Sequence, residues 1–303
     1  MPFSLTILGS GAALPTSRRN PTAQYLNCNE RHILIDCAEG TQVQLRKYGI
    51  KFQRISLVLI SHLHGDHYFG LIGLLSTMNL LGRTKEIHIF GPEELKGIIE
   101  LQQKASGHRY AFYIHFHPTK NDGAELIYED RFIEITSFPL KHRVKTCGFR
   151  ISEKQKEYTI NGELFREDQL SLQAIPFFRR GEDYQDEEGR LFPASKYTFP
   201  PKKSASYAYF SDTALNMDNV IHAREADLLY HEATFTQRHA ERARATRHAT
   251  AGQAATFAQA AGVGRLLLGH ISSRYADSEE HEQEARAIFE NSEVVEDGSV
   301  YTC

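Results

Sequence analysis

The sequence predicts an α/β fold: one domain across residues 1–303, interrupted by an inserted arm over 155–203. Two observations carry this reading. Short β-branched or apolar runs that stop at Gly or polar residues alternate along the chain with longer helical runs, and only the arm breaks the alternation. The 303 residues are also 41% hydrophobic, ample for a sizeable core.

In chain order, "FSLTILGSG" (Phe3 to Gly11), "RHILIDCAEG" (Arg31 to Gly40) and "ISLVLISH" (Ile55 to His62) have the composition of strands. "GLIGLLSTMNLLG" (Gly70 to Gly82) follows as a helix, then strand "EIHIFGP". Pro92, Glu93 and Glu94 open the next helix, where proline loses no needed hydrogen bond and acids face the positive end of the helix dipole. "FIEITSFPLKH" (Phe132 to His142) and "CGFRISEK" (Cys147 to Lys154) restore the strand pattern. From Gln155 to Lys203 the texture is charged, Pro-containing and weakly periodic, as in an inserted arm or long loop. Regular structure resumes with strand "SYAYFSDT" (Ser206 to Thr213), helix "NVIHAREA", strand "DLLYHEATF", helix "TAGQAATFAQAAG" and strand "RLLLGH" (Arg265 to His270). No internal repeat of fixed period is visible.

Net charge is -3, so there is no global basic field of the kind that binds nucleic acid; such a role has to come from local patches. Cys28, Cys37, Cys147 and Cys303 form no CxxC pair, which fits reduced structural thiols in a cytoplasmic protein rather than ligands. "MPFSLTILGSGAALP" has no basic leader and too short an apolar run to span a bilayer, so neither secretion nor a membrane partner is expected.

Chemistry concentrates in "SHLHGDHY" (Ser61 to Tyr68), directly after an apolar run. Crowded imidazoles and a carboxylate lose solvation, and the imidazoles repel when charged, unless a cation organises them. Strands end on possible ligands at His62, Asp212 and His270, and His142 follows "SFPLKH". Rigid strand ends can aim side chains from distant sequence at one point. Imidazole and carboxylate donors without thiolate suit Zn²⁺ or Mn²⁺ with a position left for water.

HxHxDH with a downstream His, Asp and His resembles the metallo-β-lactamase superfamily. The stretches "LGSGAALPTSRRNPTAQYL", "IDCAEGTQVQL", "YFSDT", "HEATF", "RHATAGQAA" and "LGHISSRY" resemble, in order and spacing, the ribonuclease Z branch across nearly all the chain except the arm. HxHxDH alone also admits arylsulfatases, phosphodiesterases and thioester hydrolases, whereas "HATAGQAA" followed by "GHISSRY" is characteristic of this branch.

The resemblance implies a four-layer αββα sandwich and an endoribonuclease that removes the 3′ trailer of precursor tRNA after the discriminator base. It leaves a 3′ hydroxyl on the tRNA and a 5′ phosphate on the trailer. Two zinc ions are implied per chain, Mn²⁺ being a possible substitute. One is held by His62, His64 and His142, the other by Asp66, His67 and His270, with Asp212 bridging. Asp66 is also the designated proton acceptor. Where the family reads His-Ser-Thr, this chain has His-Ala-Thr, losing a hydroxyl but keeping His248. An imidazole there suits a general acid or transition-state stabiliser, with Glu232 as orienting partner. Ser272 and Arg274, just after the last ligand, are placed to grip phosphate. The family pattern further implies a homodimer in the cytoplasm.

Competing readings are a small-molecule phosphodiesterase or arylsulfatase of the same fold and, from a different class, an RNA-binding protein with a vestigial metal site. The intact ligand set argues against the last. His32, His88, His115, His117 and His239 read as ordinary strand or surface residues. Arg238, Arg242, Arg244 and Arg247 form either a solvated face or phosphate contacts beside His248. In the arm, Phe177, Phe178, Arg179 and Arg180 stand where relatives carry a Gly/Pro-rich knob and are read as tRNA contacts, opposed by the acids from Glu182 to Glu188. The other reading of the arm is a structural insertion.

Overall fold

The computed structural model describes residues 3–107 and 109–303. The chain forms two compact units, residues 1–152 with 205–303, and residues 153–204. In the larger unit the principal strands are β1 (Phe3–Gly9), β2 (Ala23–Cys28), β3 (Arg31–Cys37), β4 (Leu57–Leu59), β5 (Ile87–Gly91), β6 (Ile114–Pro118) and β7 (Glu125–Glu129). They continue with β8 (Ile133–Pro139), β9 (Cys147–Glu153), β10 (Ser206–Phe210), β11 (Leu228–Glu232), β12 (Arg265–Gly269), β13 (Ser292–Val294) and β14 (Val300–Thr302). These make two seven-stranded sheets, in the orders β14-β1-β2-β3-β4-β5-β6 and β13-β12-β11-β10-β9-β8-β7.

Side-chain alternation explains why both sheets are buried on two faces. Ile33 and Ile35 of β3 meet Leu228 and Tyr230 of β11 in the core between the sheets. The intervening residues point outward: Leu34 joins a second core with the helices α1 (Thr41–Lys47), α2 (Leu71–Leu80) and α3 (Glu94–Ser106). Leu229 joins a third, with α4 (Ala251–Ala261) and α5 (Glu279–Arg286). The result is the αββα sandwich. Helix α4 starts at a reciprocal cap, where the Thr250 hydroxyl accepts from Gln253 N and the Gln253 side chain from Thr250 N, and it ends at Gly262 in the left-handed region.

Local chemistry also built elements that periodicity did not reveal. β2 and β3 form a hairpin whose turn residues Asn29 and Glu30 have φ of 50° and 63°. Positive φ at both central positions matches the right-handed twist of the strands. Helix α5 carries "EEHEQEAR", whose inward face is only His281 and Ala285, too small an apolar signal to read.

The smaller unit is folded rather than a loop. Residues 159–160 pair with 198–199 and 184–185 with 191–192, around a core of Leu170, Ala174, Phe178, Tyr184, Ala194 and Tyr197. This corrects one expectation: Phe178 is fully buried, its ring 5.3 Å from that of Tyr197, and does not face RNA. Phe177 and Phe178 lie on the helix Ile175–Arg180, where consecutive side chains point about 100° apart, so the pair cannot share a surface. Phe177 is exposed, with the Arg180 guanidinium 5.2 Å from its ring. Arg180 donates to Glu182 at 2.6 Å, and Arg179 lies 3.5 Å from Glu157.

Candidate metal centre

The strand ends deliver the side chains. β4 leads into Ser61 and His62; His64 then begins a helical turn, Gly65–Tyr68, that carries Asp66 and His67. Asp212 follows β10, His270 follows β12, and His142 follows β8. Asp36 (φ 54°), Asp212 (φ 58°) and His270 (φ 56°) all adopt the left-handed backbone that non-glycine residues rarely take.

All seven residues expected as ligands come together, in two groups. His62, His64 and His142 gather on one side of Asp212, and Asp66, His67 and His270 on the other. Asp212 Oδ2 lies 3.6 Å from both His62 Nε2 and His142 Nε2, while its Oδ1 lies 3.1 Å from both His67 Nε2 and His270 Nε2. Each carboxylate oxygen thus serves one group. His62 Nε2 and His64 Nδ1 approach to 2.9 Å, and Asp66 Oδ2 stands 3.6 Å from His270 Nε2.

An outer layer fixes the rings. His67 Nδ1 donates to Asp36 at 2.7 Å, and Asp36 also accepts from Ser61 N, Ser61 Oγ and Tyr209 Oη. Because the Ser61 hydroxyl donates to Asp36, it accepts from His62 Nδ1 at 3.0 Å. Thr234 donates to Glu232 at 2.6 Å and accepts from His270 Nδ1 at 2.8 Å. His142 Nδ1 donates to the Arg247 carbonyl, and the Arg247 guanidinium returns a bond of 2.7 Å to the His142 carbonyl. Arg247 therefore braces His142, whereas Arg242 and Arg244 are exposed and Arg238 pairs with Glu280.

With the Nδ1 positions occupied, the Nε2 atoms of His67, His142 and His270 point inward, buried and without a hydrogen-bond partner among the described residues. Buried polar atoms are rarely left unpaired, so this donor set fits divalent cations. Burial acts to raise the Asp212 pKa, but His270, His67 and His62 outweigh it and hold the carboxyl well below the usual range. Asp66 shows the same balance: burial raises it, the close approach of His270 and the charges of His270 and His67 outweigh that and lower it, and it stays ionised. The Ala13 amide donates to Asp66 Oδ2 at 2.8 Å and sets its orientation.

His248 is not in either three-residue set but lies against them, its ring 5.0 Å from that of His142 and 5.4 Å from that of His270. Its Nδ1 is 2.8 Å from Glu232 Oε1. Burial alone would lower its pKa; the Glu232 carboxylate and its hydrogen bond overcome that and raise it to about 9. Arg274 is exposed and donates to Ser272 Oγ at 3.0 Å, its guanidinium 5.0 Å from the Phe235 ring. Asp36, Ser61, Thr234 and the Ala13 amide went unrecognised in the sequence. For Asp36 a signal existed: an acid closing the apolar run "ILID" in a strand buried on both faces needs strong donors.

Residues 3–167 match the family model described as Anti-Pycsar protein Apyc1. That span holds His62, His64, Asp66, His67 and His142 but ends before Asp212, His248 and His270. Over the whole chain, a protein named ribonuclease Z from Bacteroides fragilis is 41% identical across 289 residues, covering 95% of both chains. A ribonuclease Z from Cytophaga hutchinsonii is 43% identical across 302 residues, covering 99% of this chain and 96% of its own. Among solved structures, the short form of human tRNase Z is similar with a TM-score of 0.72 and 28% identity, covering 98% of each chain. YhfI from Bacillus subtilis, a metallo-β-lactamase fold protein, has a TM-score of 0.70 at 19% identity and shares the fold. No helix among the described residues is long and apolar enough to cross a membrane.

Proposed function

The chain belongs to the ribonuclease Z family, and from that premise we propose that it is a zinc-dependent endoribonuclease that removes the 3′ trailer of precursor tRNA. Cleavage falls after the discriminator base and leaves a 3′ hydroxyl and a 5′ phosphate. One observation carries the reading: Asp212 divides its two oxygens between two histidine-bearing groups, in which the inward Nε2 atoms of His67, His142 and His270 lack hydrogen-bond partners among the described residues, next to a separate His248–Glu232 pair.

His62, His64 and His142 would hold one zinc ion and Asp66, His67 and His270 the other, with Asp212 between. Bound there, two dications supply charge neutralisation for the phosphate and a water acidic enough to ionise near neutral pH. Asp66, held by the Ala13 amide, would orient the attacking water and take up its proton. His248 lies across the same group and gives a proton to the departing 3′ oxygen, while Glu232 keeps its Nδ1 side bonded and its Nε2 side free for that transfer. Ser272 and Arg274 follow His270 closely enough to bind the phosphate beside the cut. The expected homodimer and cytoplasmic location belong to the same proposal.

The test is direct. A trailer-bearing tRNA precursor, end-labelled, is incubated with the protein, and the new ends are mapped. A single cut after the discriminator base with a 3′ hydroxyl is expected; no cut, with rapid hydrolysis of small diesters, would replace the tRNA reading with the phosphodiesterase one.

A further inference from the structure

Away from the metal centre, β5 and β6 bring together histidines that the sequence offered as ordinary strand residues. The strands run parallel with His88 opposite His115 and Phe90 opposite His117. Alternate residues share a face, so this register lines up three imidazoles. The His88 ring stacks 4.5 Å from His115 and 5.3 Å from His117. Glu86, two residues before His88, brings its carboxylate to 2.7 Å from His115 Nε2.

We propose that Glu86, His88 and His115 form a separate transition-metal site, open to solvent, for a divalent late metal such as Zn²⁺, Ni²⁺ or Cu²⁺. One donor atom from each lies within 4.8 Å of the others, and none belongs to the centre described above. Donors sharing one ion at bonds of about 2.0–2.1 Å sit roughly 3–3.5 Å apart, so modest side-chain rotation closes the group. Two imidazoles and a carboxylate are the donor types such metals accept.

The surroundings favour binding. His88 Nδ1 and His117 Nε2 are hydrogen-bonded at 3.0 Å, which orients the His88 ring from behind, as partners of metal-bound imidazoles do. The side chains of Glu86 and His115 are 63% and 34% exposed, which gives an ion its entry path. β6 ends its sheet, so a bound ion would tie an edge strand to its neighbour.

The experiment uses the full chain with its catalytic centre first loaded with Zn²⁺, then titrated with Cu²⁺ and followed by electron paramagnetic resonance. About one additional Cu²⁺ per chain, with nitrogen splitting from imidazole, is expected. The double substitution His88→Asn, His115→Asn should remove that signal and leave hydrolysis of bis(p-nitrophenyl) phosphate unchanged. Should the double variant fail to fold, His115→Asn alone should weaken Cu²⁺ binding at least ~10-fold. The same Cu²⁺ stoichiometry, affinity and spectrum in the wild-type chain and a folded variant would overturn the site.

Discussion

Replacing Asp36 with asparagine should weaken metal binding without touching a ligand. Asn tolerates the left-handed backbone at this position, where φ is 54°, so the change tests hydrogen bonding rather than strain. Asp36 Oδ2 accepts from Ser61 Oγ, His67 Nδ1 and Tyr209 Oη, and Oδ1 accepts from Ser61 N. An asparagine keeping its oxygen on the three-donor side turns its NH₂ group toward the Ser61 N–H. The opposite rotamer takes the acceptor from His67 and lets its proton move to Nε2, the atom that faces the ligand group. Either way at least one buried donor is orphaned, at about 1–3 kcal/mol, and bonds to a charge become weaker bonds to an amide. A total loss of roughly 2–4 kcal/mol lowers the melting temperature by roughly 3–6 °C. Loss of the outer partner should cut metal affinity by about 10- to 100-fold. Competition against a chelator of known affinity, followed by elemental analysis, measures the second effect, and calorimetry the first. Unchanged affinity in a folded variant would refute the claim that Asp36 sets the His67 tautomer.

Three further perturbations separate the remaining roles. His248→Ala should lower kcat by about 10²–10⁴ with metal content unchanged, and a substrate whose 3′ leaving oxygen is replaced by sulfur should recover much of the rate; an equal deficit on both makes His248 a binding residue. Replacing residues 155–203 with a short Gly/Ser linker is feasible because Ser204 Oγ donates to the Lys154 carbonyl at 2.9 Å. It should spare small-diester hydrolysis but weaken tRNA binding, flattening its log–log salt slope by about 0.7–0.9 per lost phosphate contact, and an unchanged slope removes the arm from tRNA binding. Burial pushes the His281 pKa down to about 4, against about 6.5 in an unfolded chain. The unfolded state then binds the proton first, so stability is fully present above about pH 6.5 and falls by up to roughly 3 kcal/mol as pH drops toward 4. His281→Phe should flatten the melting temperature against pH over that window, and parallel curves for both chains would exclude His281 as the source.

The clustering of the seven candidate ligands was legible because its chemistry is local: three histidines and an aspartate in one stretch, and strand ends marked by apolar runs stopping at His or Asp. The outer layer was not. Asp36 and Tyr209 lie 173 positions apart, and only sheet packing brings the phenol onto the carboxylate. The stacked His88, His115 and His117 were missed for the same reason, since the register between β5 and β6 is invisible to composition. The arm misled in the other direction. Its weak periodicity concealed a small core, and the adjacent phenylalanines, read as one surface, are divided between that core and the outside.

The three left-handed residues suggest why the centre sits where it does. A strand that continues in extended conformation sends its next side chain to alternate faces of the sheet, into one packed core or the other. At Asp36, Asp212 and His270 the backbone instead turns through positive φ at a strand's C-terminal end. Such a residue is uncommon and costs of order 1–3 kcal/mol, so it persists only where neighbours over-determine it. They do so here: Asp36 is held by four hydrogen bonds, and His270 by Thr234, itself anchored on Glu232. Glu232 in turn accepts from Thr213 N at 2.7 Å, beside Asp212, and from His248 Nδ1 at 2.8 Å. One buried carboxylate therefore positions the backbone next to Asp212, the hydroxyl behind His270 and the proposed proton donor. Loosening it disturbs all three at once, which makes Glu232 the point through which both candidate ligand groups and His248 are mechanically joined.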